Sequence, residues 1–400
     1  METLTTEVEA PLVSIELVSQ CDQFVALTAD WDALLARIPH ATCFRRIDWL
    51  TTWWQIFGNH NTMQLLLLLL YDQQHTLVGA VPLYIQQYHL GTLRVRIVRW
   101  LGQGYGALTD TLGPLLAPGY EHVGMGSALA YLERHRDVWD VLALARTPAI
   151  VSNEIATYAR TASWRLTLRE ITGWLAIDLP ADWETYQRTL SKNLRSNLPR
   201  YRNRLLREER TAHVEMLTEP TEILAVLPQL FILHRLRAQA VDMKRHSDYF
   251  AAASSRAFML LIAAMLSRQQ RMALACMRVD GQVVAMQMLL FEGRSMTLYF
   301  SGFDPAWSRY SVMLLTTKAS LEYAIRQGIT WVDLTAGAGS QAKRQWANEE
   351  YQTHSLLVAH APFWGYCCRW GICILHRADA INRSLQKVFG KIAQWKLGKE

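Results

Sequence analysis

The chain has 400 residues, 50% of them hydrophobic and 19% charged, which excludes a long disordered polymer and leaves length for two ordinary domains. Its 41 basic and 35 acidic residues leave a net charge of +6, too mild to mark a nucleic-acid binder by itself, and DNA is not expected as a partner. Six cysteines are too sparse for a secreted disulfide framework and point to a reducing compartment.

The N-terminus has neither a basic flank nor a long apolar run, so no signal peptide is expected. The longest apolar run, Leu65 to Tyr71, is far short of the roughly 20 residues of a membrane span. It suits a strand buried on both faces. Along the first half, strands are predicted at Met63–Tyr71, Thr76–Gln86 and Leu93–Trp100. A Gly-rich loop follows, 102–119, then a helix at Tyr120–Arg136, a short strand at Trp139–Ala145 and a helix at Val151–Ser163. Two closing strands, Arg165–Glu170 and Trp174–Leu179, complete it.

In the second half, amphipathic helices are predicted at Thr221–Ala240 and Asp248–Gln269. Met272–Val279 and Gln282–Phe291 form a hairpin through Asp280-Gly281, a strong turn signal. Glu292-Gly293-Arg294 turns into a third strand, Ser295–Gly302. A loop then leads to a helix at Ser311–Gln327, with Gly328 as its cap and a short strand, Thr330–Thr335, beyond.

The order strand, hairpin, strand, loop, helix, strand occurs twice. Leu77-Val78-Gly79-Ala80 parallels Gln282-Val283-Val284-Ala285, and Trp139-Asp140-Val141-Leu142 parallels Trp331-Val332-Asp333-Leu334. A duplicated α/β unit accounts for both. The expected organisation is α/β with mixed sheets, a first unit over 1–170, a second over 171–360 and a tail over 361–400.

Between the units, Ser191–Arg210 carries seven basic residues against Glu208 and Glu209, with a helix predicted to start at Pro199. A solvated helix face and an anion-binding face for a phosphate-rich ligand, RNA or acidic lipid both fit it. The tail holds an aromatic stretch, Pro362–Leu375, and a basic amphipathic stretch, His376–Leu397. Core docking and peripheral contact with a membrane surface both fit the tail.

Several chemistries are excluded. No HExxH, GxSxG or GxxxxGK[ST] occurs. Cys368, Cys373 and His376 lack the paired spacing of a structural zinc site, so no metal is expected. Gly102-Gln103-Gly104-Tyr105-Gly106 is GxGxG and opens no helix. Asp333-Leu334-Thr335-Ala336-Gly337-Ala338-Gly339 resembles a methyltransferase cofactor loop, but too little chain follows to complete that sheet. What remains is the strand–loop–helix unit 299–311, where Ser311 can cap a helix whose N-terminus suits a pyrophosphate, with Arg309 adding charge.

The chain resembles the CelD/FemAB-like (BioF2-like) branch of the GNAT acyltransferase superfamily. The stretches that carry the resemblance are Phe44–Gly58, Leu101–Leu115, Ser191–Leu206, Leu230–His234, Tyr299–Ser311 and Asp333–Trp346. The resemblance implies two tandem GNAT-like domains and acyl transfer from a carrier to an amine. Acyl-CoA (acetyl-CoA) is the implied carrier, aminoacyl-tRNA the alternative. A cell-envelope or polysaccharide precursor is the implied acceptor. It also implies roles for particular residues: Asp110 and Lys343 in catalysis, Gly302, Arg309, Tyr310 and Ser311 in carrier binding, and Trp49, Trp53, His234 and Trp346 in substrate binding. The chain departs from the pattern at Val312-Met313, where relatives carry Pro-Gly, and at Ala338–Ala342, where an acidic residue and a tyrosine are missing. A non-catalytic scaffold in an envelope biosynthesis complex is therefore the second alternative. The expected location is cytoplasmic, with contact at the inner membrane face as the alternative.

Overall fold

The computed structural model describes residues 13–90, 93–104, 108–240, 246–336 and 340–359. The tail 361–400, Tyr105-Gly106 and Gly337–Gly339 lie outside the described residues. The first half runs β1 (Ser14–Val18), α1 (Cys21–Ala26), α2 (Thr28–Arg37), α3 (Ile47–Phe57), β2 (Met63–Tyr71), β3 (Leu77–Leu90) and β4 (Leu93–Trp100). It continues with β5 (Leu115–Leu116), α4 (Glu121–Arg134), β6 (Val141–Pro148), α5 (Ala149–Thr161) and β7 (Arg165–Asp178). The second runs α6 (Trp183–Thr189), α7 (Lys192–Arg207), β8 (Ala212–Leu217), α8 (Pro220–Gln239), α9 (Ala253–Arg268) and β9 (Met272–Val279). It ends with β10 (Gln282–Glu292), β11 (Ser295–Phe303), α10 (Val312–Arg326), β12 (Trp331–Ala336), α11 (Gln341–Arg344) and β13 (Glu349–Ala359).

All the strands form one mixed sheet in the order β1-β2-β3-β4-β6-β13-β7-β12-β11-β10-β9-β8, with β5 on the flank of β3. The two ends mirror each other. Each half is an antiparallel meander that continues, through a helix, into a parallel partner: β4 beside β6, and β11 beside β12. The final strand of each half lies in the other half's territory. β13 pairs with β6 and β7 with β12, and the two exchanged strands pair antiparallel with each other at the centre.

Local chemistry explains the elements. Leu65–Tyr71 of β2 are all buried, because the strand has neighbours on both sides and layers on both faces. In the second half the period-two rule splits each strand between two cores. Met272, Leu274 and Cys276 of β9 face α8 and α9 in a core continuous with the first half; Ala273 and Ala275 face the α6, α7 and α10 side. At the β9–β10 hairpin, Asp280 and Gly281 have φ of 50° and 81°. Positive φ at both central residues is what the tight hairpin turn demands.

Three expectations change. Helix α7 starts at Lys192, not at Pro199: the Ser191 side chain caps it by accepting from the Leu194 N–H, and buried Leu194, Leu198 and Leu205 anchor it. Pro199 sits on the exposed face, so the carbonyl of Arg195 that loses its helical partner faces water. Arg165–Asp178 is one strand rather than two, because Thr172-Gly173 pairs with Thr353 and Gln352 instead of turning. β13 was not foreseen, since Glu349-Glu350-Tyr351-Gln352-Thr353-His354 shows no apolar alternation.

Helix α8 crosses β11 at close range. A Cβ on Gly302 would meet the His234 backbone N at 2.4 Å and the Leu233 carbonyl carbon at 2.7 Å. Neither backbone can give way cheaply. Gly302→Ala is expected to destabilise the protein by about 3 kcal/mol, at the upper end for overpacking. A thermal melt of the variant checks this, and an unchanged melting temperature would mean that α8 is not seated as described.

Candidate active site at the strand fork

β11 and β12 pair over three positions only, Ser295↔Trp331, Met296↔Val332 and Thr297↔Asp333, and part beyond them. Two irregularities shape the opening. On one side, Leu298 and Ser301 of β11 oppose Leu289 and Gln287 of β10, so β11 carries one extra residue at Tyr299–Phe300. On the other, Asp333 and Ala336 of β12 oppose Ala176 and Trp174 of β7, again one residue in excess. Thr335, in this second bulge, has φ 63°. β6 repeats the device: it gains a residue between Leu144 and Thr147, and Arg146 has φ 50°. Bulges of this kind re-aim side chains, and they recur beside functional sites.

The bulges, the loop after β4 and the exchanged strand together assemble a cluster of ionisable groups. Asp110 accepts from Arg146 Nη1 at 2.9 Å, and the same guanidinium reaches the Thr109 carbonyl at 3.2 Å. Asp333 is buried; its carboxylate accepts from the Thr335 N–H at 2.6 Å and from the Tyr351 hydroxyl at 3.3 Å. Lys343 Nζ donates to Thr335 Oγ1 at 2.6 Å and to the Ala336 carbonyl at 2.9 Å. Tyr299 donates its hydroxyl to the Leu108 carbonyl.

Burial dominates the titration of these groups. It raises the Asp333 carboxyl from 3.8 to about 7; the Thr335 N–H pulls the other way, Asp110's charge adds to the rise and Lys343 opposes it. Burial also raises Asp110, against the pull of Arg146 and Lys343. It lowers Lys343, against the pull of both carboxylates. Tyr299 and Tyr351 are pushed far up and stay protonated. Arg45, which faces Tyr351 and Asp333, is the third basic group here. Three basic groups thus share a site with two carboxylates, one of which changes charge near neutrality.

Among the residues singled out from sequence, Asp110 and Lys343 come together in this cluster. Trp49 borders it, donating Nε1 to Thr109 Oγ1 at 3.1 Å and packing edge-on against Tyr299. Trp53 lies apart, against Tyr84 and Phe57 in the first-half core. Trp346 is buried in the second-half core, where its carbonyl accepts from the Tyr186 hydroxyl at 2.5 Å. His234 stands behind β11. Its Nδ1 meets the Ser301 carbonyl at 3.0 Å, so that nitrogen carries the hydrogen, while buried Nε2 has no partner among the described residues. Gly302 makes its close approach to α8.

Arg309, Tyr310 and Ser311 form a separate group. Arg309 pairs with Glu208 at 2.6 Å, and the Tyr310 hydroxyl bonds to the same carboxylate. Ser311 has φ 49° and follows a short 3-10 helix, Pro305–Tyr310. The Ser311 N–H is taken by the Ser308 carbonyl at 2.9 Å, so the open donors here are those at the N-terminus of α10. The Ser311 hydroxyl caps nothing, leaving it free for a ligand. The Val312-Met313 departure leaves this helix N-terminus in place.

Asp333, Arg146, Thr335, Tyr351, Tyr299 and Arg45 escaped the sequence reading. The signal for Asp333 was there: a carboxylate inside a short apolar strand, Trp331–Ala336, has to be buried. Among the described residues no three His, Cys, Asp or Glu side chains are grouped to hold a metal ion, and no helix is long and apolar enough to cross a membrane.

Residues 192–352, from α7 into β13, match the family described as Acetyltransferase (GNAT) domain. Comparison with curated proteins gives no match. Among solved structures, FemX is similar over 86% of this chain and 96% of its own, with TM-score 0.56 and 8% identity. A tandem GNAT protein from the clavulanic acid biosynthesis pathway is similar over 86% and 98%, with TM-score 0.45 and 13% identity. L-PGS from Bacillus licheniformis is similar over 78% and 90%, with TM-score 0.41 and 12% identity. The chain is a mixed α/β protein whose second half matches a GNAT acetyltransferase domain and whose fold is similar to that of FemX.

The raised Asp333 carboxyl has a stability signature. The folded state holds this proton up to about pH 7, whereas an unfolded aspartate releases it near 3.9. Stability from this group is therefore full below pH 4 and is lost as pH rises to about 7. The limit is about 4 kcal/mol, from a rise of roughly three pH units at 1.36 kcal/mol each. Asp333→Asn is expected to flatten the pH dependence of the melting temperature between pH 5 and 7. Parallel curves for the two proteins would rule out the raised carboxyl.

Proposed function

We propose that this protein is an N-acyltransferase that moves an acyl group from acyl-CoA to an amine. The amine's origin in a cell-envelope or polysaccharide precursor follows from the resemblance. The observation that carries the reading is the fork between β11 and β12, with a carboxyl that titrates near 7 and a half-buried lysine at its base. Coenzyme A supplies a thioester whose carbonyl is open to attack by an amine. The Ser311 hydroxyl and the first N–H groups of α10 are the groups that would hold its pyrophosphate.

The chain's own groups divide the work. The attacking amine must be neutral, and Asp333 in its ionised form accepts a proton near neutral pH, directly or through water. The backbone of the Tyr299–Phe300 bulge supplies N–H donors to an oxygen that gains negative charge. Lys343, Arg146 and Arg45 bias the site toward anionic oxygen. The pair Arg146–Asp110 holds the loop after β4 against the β6 bulge and so keeps the cluster assembled.

Calorimetric titration with acetyl-CoA and CoA tests the carrier. Binding is expected in the micromolar range. It should weaken tenfold or more in Met313→Asp, because a negative charge in the first turn suits the helix dipole but repels a phosphate. Asp333→Asn should leave carrier binding intact and lower kcat about 100-fold or more, read as CoA thiol release against a panel of amino sugars. Absent binding at millimolar ligand, with transfer from aminoacyl-tRNA instead, would replace the thioester by an ester carrier at the same fork. Absence of both would leave the scaffold reading.

A further inference from the structure

The surface of α7 poses a separate question. Over 16 residues the helix carries Lys192, Arg195, Arg200, Arg202, Arg204 and Arg207 and no acidic residue. Arg204 is half-buried and bonds to the Arg309 carbonyl at 2.7 Å. The other five are exposed. Among the described residues, none of Lys192, Arg195, Arg200 and Arg202 forms an ion pair. Surface helices ordinarily intersperse both signs, and i,i+4 pairs of opposite charge stabilise them. Concentrated charge of one sign raises the local potential and costs self-repulsion, which an anionic partner relieves.

A groove runs along the same helix. A cavity of about 470 Å³ opens between α7 and α10 above β8 and β9. That volume lies within the roughly 300–1,000 Å³ of small-molecule sites. Leu198, Leu205, Met277 and Leu315 line it. Leu206 is 63% exposed on its rim, and Arg202 stands on the same rim. Lys318, also at the edge, is already paired with Glu322 and lies over the Trp183 ring, so it adds little free charge. At 100° per residue, Arg195, Arg202 and Leu206 share one flank of α7, the flank that leads into the groove. The groove lies at the sheet's β8 edge, away from the fork.

We infer that α7 and this groove form a docking face for an anionic lipid surface, with the arginines meeting headgroup phosphates and Leu206 and the groove meeting acyl chains. Charge complementarity selects an anion. The apolar groove and the exposed leucine beside the charge favour a lipid over RNA: the indole ring in the groove, Trp183, is half-buried and already covered by Lys318. Basic side chains at an anionic bilayer act additively and weaken with salt. This face would hold the transferase domain at a membrane without any spanning helix, and it is independent of the reaction proposed above.

Vesicle co-sedimentation of the full chain tests the inference. Wild type is expected to bind phosphatidylcholine vesicles containing phosphatidylglycerol, to ignore pure phosphatidylcholine, and to lose most binding in 0.5 M salt. The double variant Arg195→Glu, Arg202→Glu should lose about tenfold or more. Leu206→Ser should lose less, with a deficit that persists at moderate salt. All these positions are exposed, so melting temperatures should stay unchanged. The variants retain residues 360–400, so a difference from wild type belongs to α7. Equal binding by wild type and both variants would overturn the inference, as would equal binding to neutral vesicles. Absence of vesicle binding would do the same, with tRNA binding at low salt then marking the face as an RNA contact.

Discussion

The exchange of final strands between the two halves is the constraint on which the rest depends. β6 and β12 are each the last strand of their own half's sheet and would present an open edge on the side away from their parallel neighbour. An unpaired edge is a liability, and each half closes the other's with its last strand. The central β7–β13 pair then makes the sheet continuous. One stacking contact, Trp174 on Tyr351, and one buried bond, Trp174 Nε1 to Thr353 Oγ1 at 2.8 Å, lock its register. The same register carries Tyr351 to Asp333, so a device that closes the sheet also completes the candidate site.

A second contact between the halves is polar. Arg46, only 5% exposed, pairs with Asp32, Asp48 and Glu292, and Glu292 takes a further pair from Arg271. Asp48 also accepts from Gln269. A buried cation with three carboxylates in reach is more a matter of specificity than of net stability, because desolvation offsets much of the attraction. Its placement has a consequence for function. Arg46 lies between the turn bearing Phe44 and Arg45 and the helix bearing Trp49, which pack on Tyr299 and face Asp333. The ion network at the β10–β11 hairpin therefore sets where the first half's residues meet the fork.

Much of this architecture was legible in the residues. Period-two strands, the Asp280-Gly281 turn and the repeated element order predicted both meanders, and the strand–loop–helix unit at 299–311 predicted the entry into α10. What escaped reading shares one physical cause. β13 is polar at its start because its partners, not its side chains, make it a strand. α7 runs through Pro199 because the proline lies on the solvent face, a fact no spacing rule contains. The cluster at the fork draws Asp110 and Arg146 from one half and Asp333, Lys343 and Tyr351 from the other. Asp110 and Lys343 were reached through the resemblance; their three partners meet them only through strand exchange and two bulges. Positive φ at Arg146 and Thr335, both residues with side chains, is likewise a product of pairing rather than of local preference.

The account rests on one ionisable group being held near neutrality by its surroundings. Carbon-detected NMR titration of the full chain labelled at aspartate carboxyl carbons reads that group directly, with Asp333→Asn supplying the assignment. A single resonance with a midpoint near pH 7, lost in that variant and moved upward in Lys343→Met, is the predicted result. A spectrum in which every aspartate titrates below pH 5 would contradict the account, because the fork would then hold permanently ionised carboxylates and no carboxyl able to exchange a proton at neutral pH.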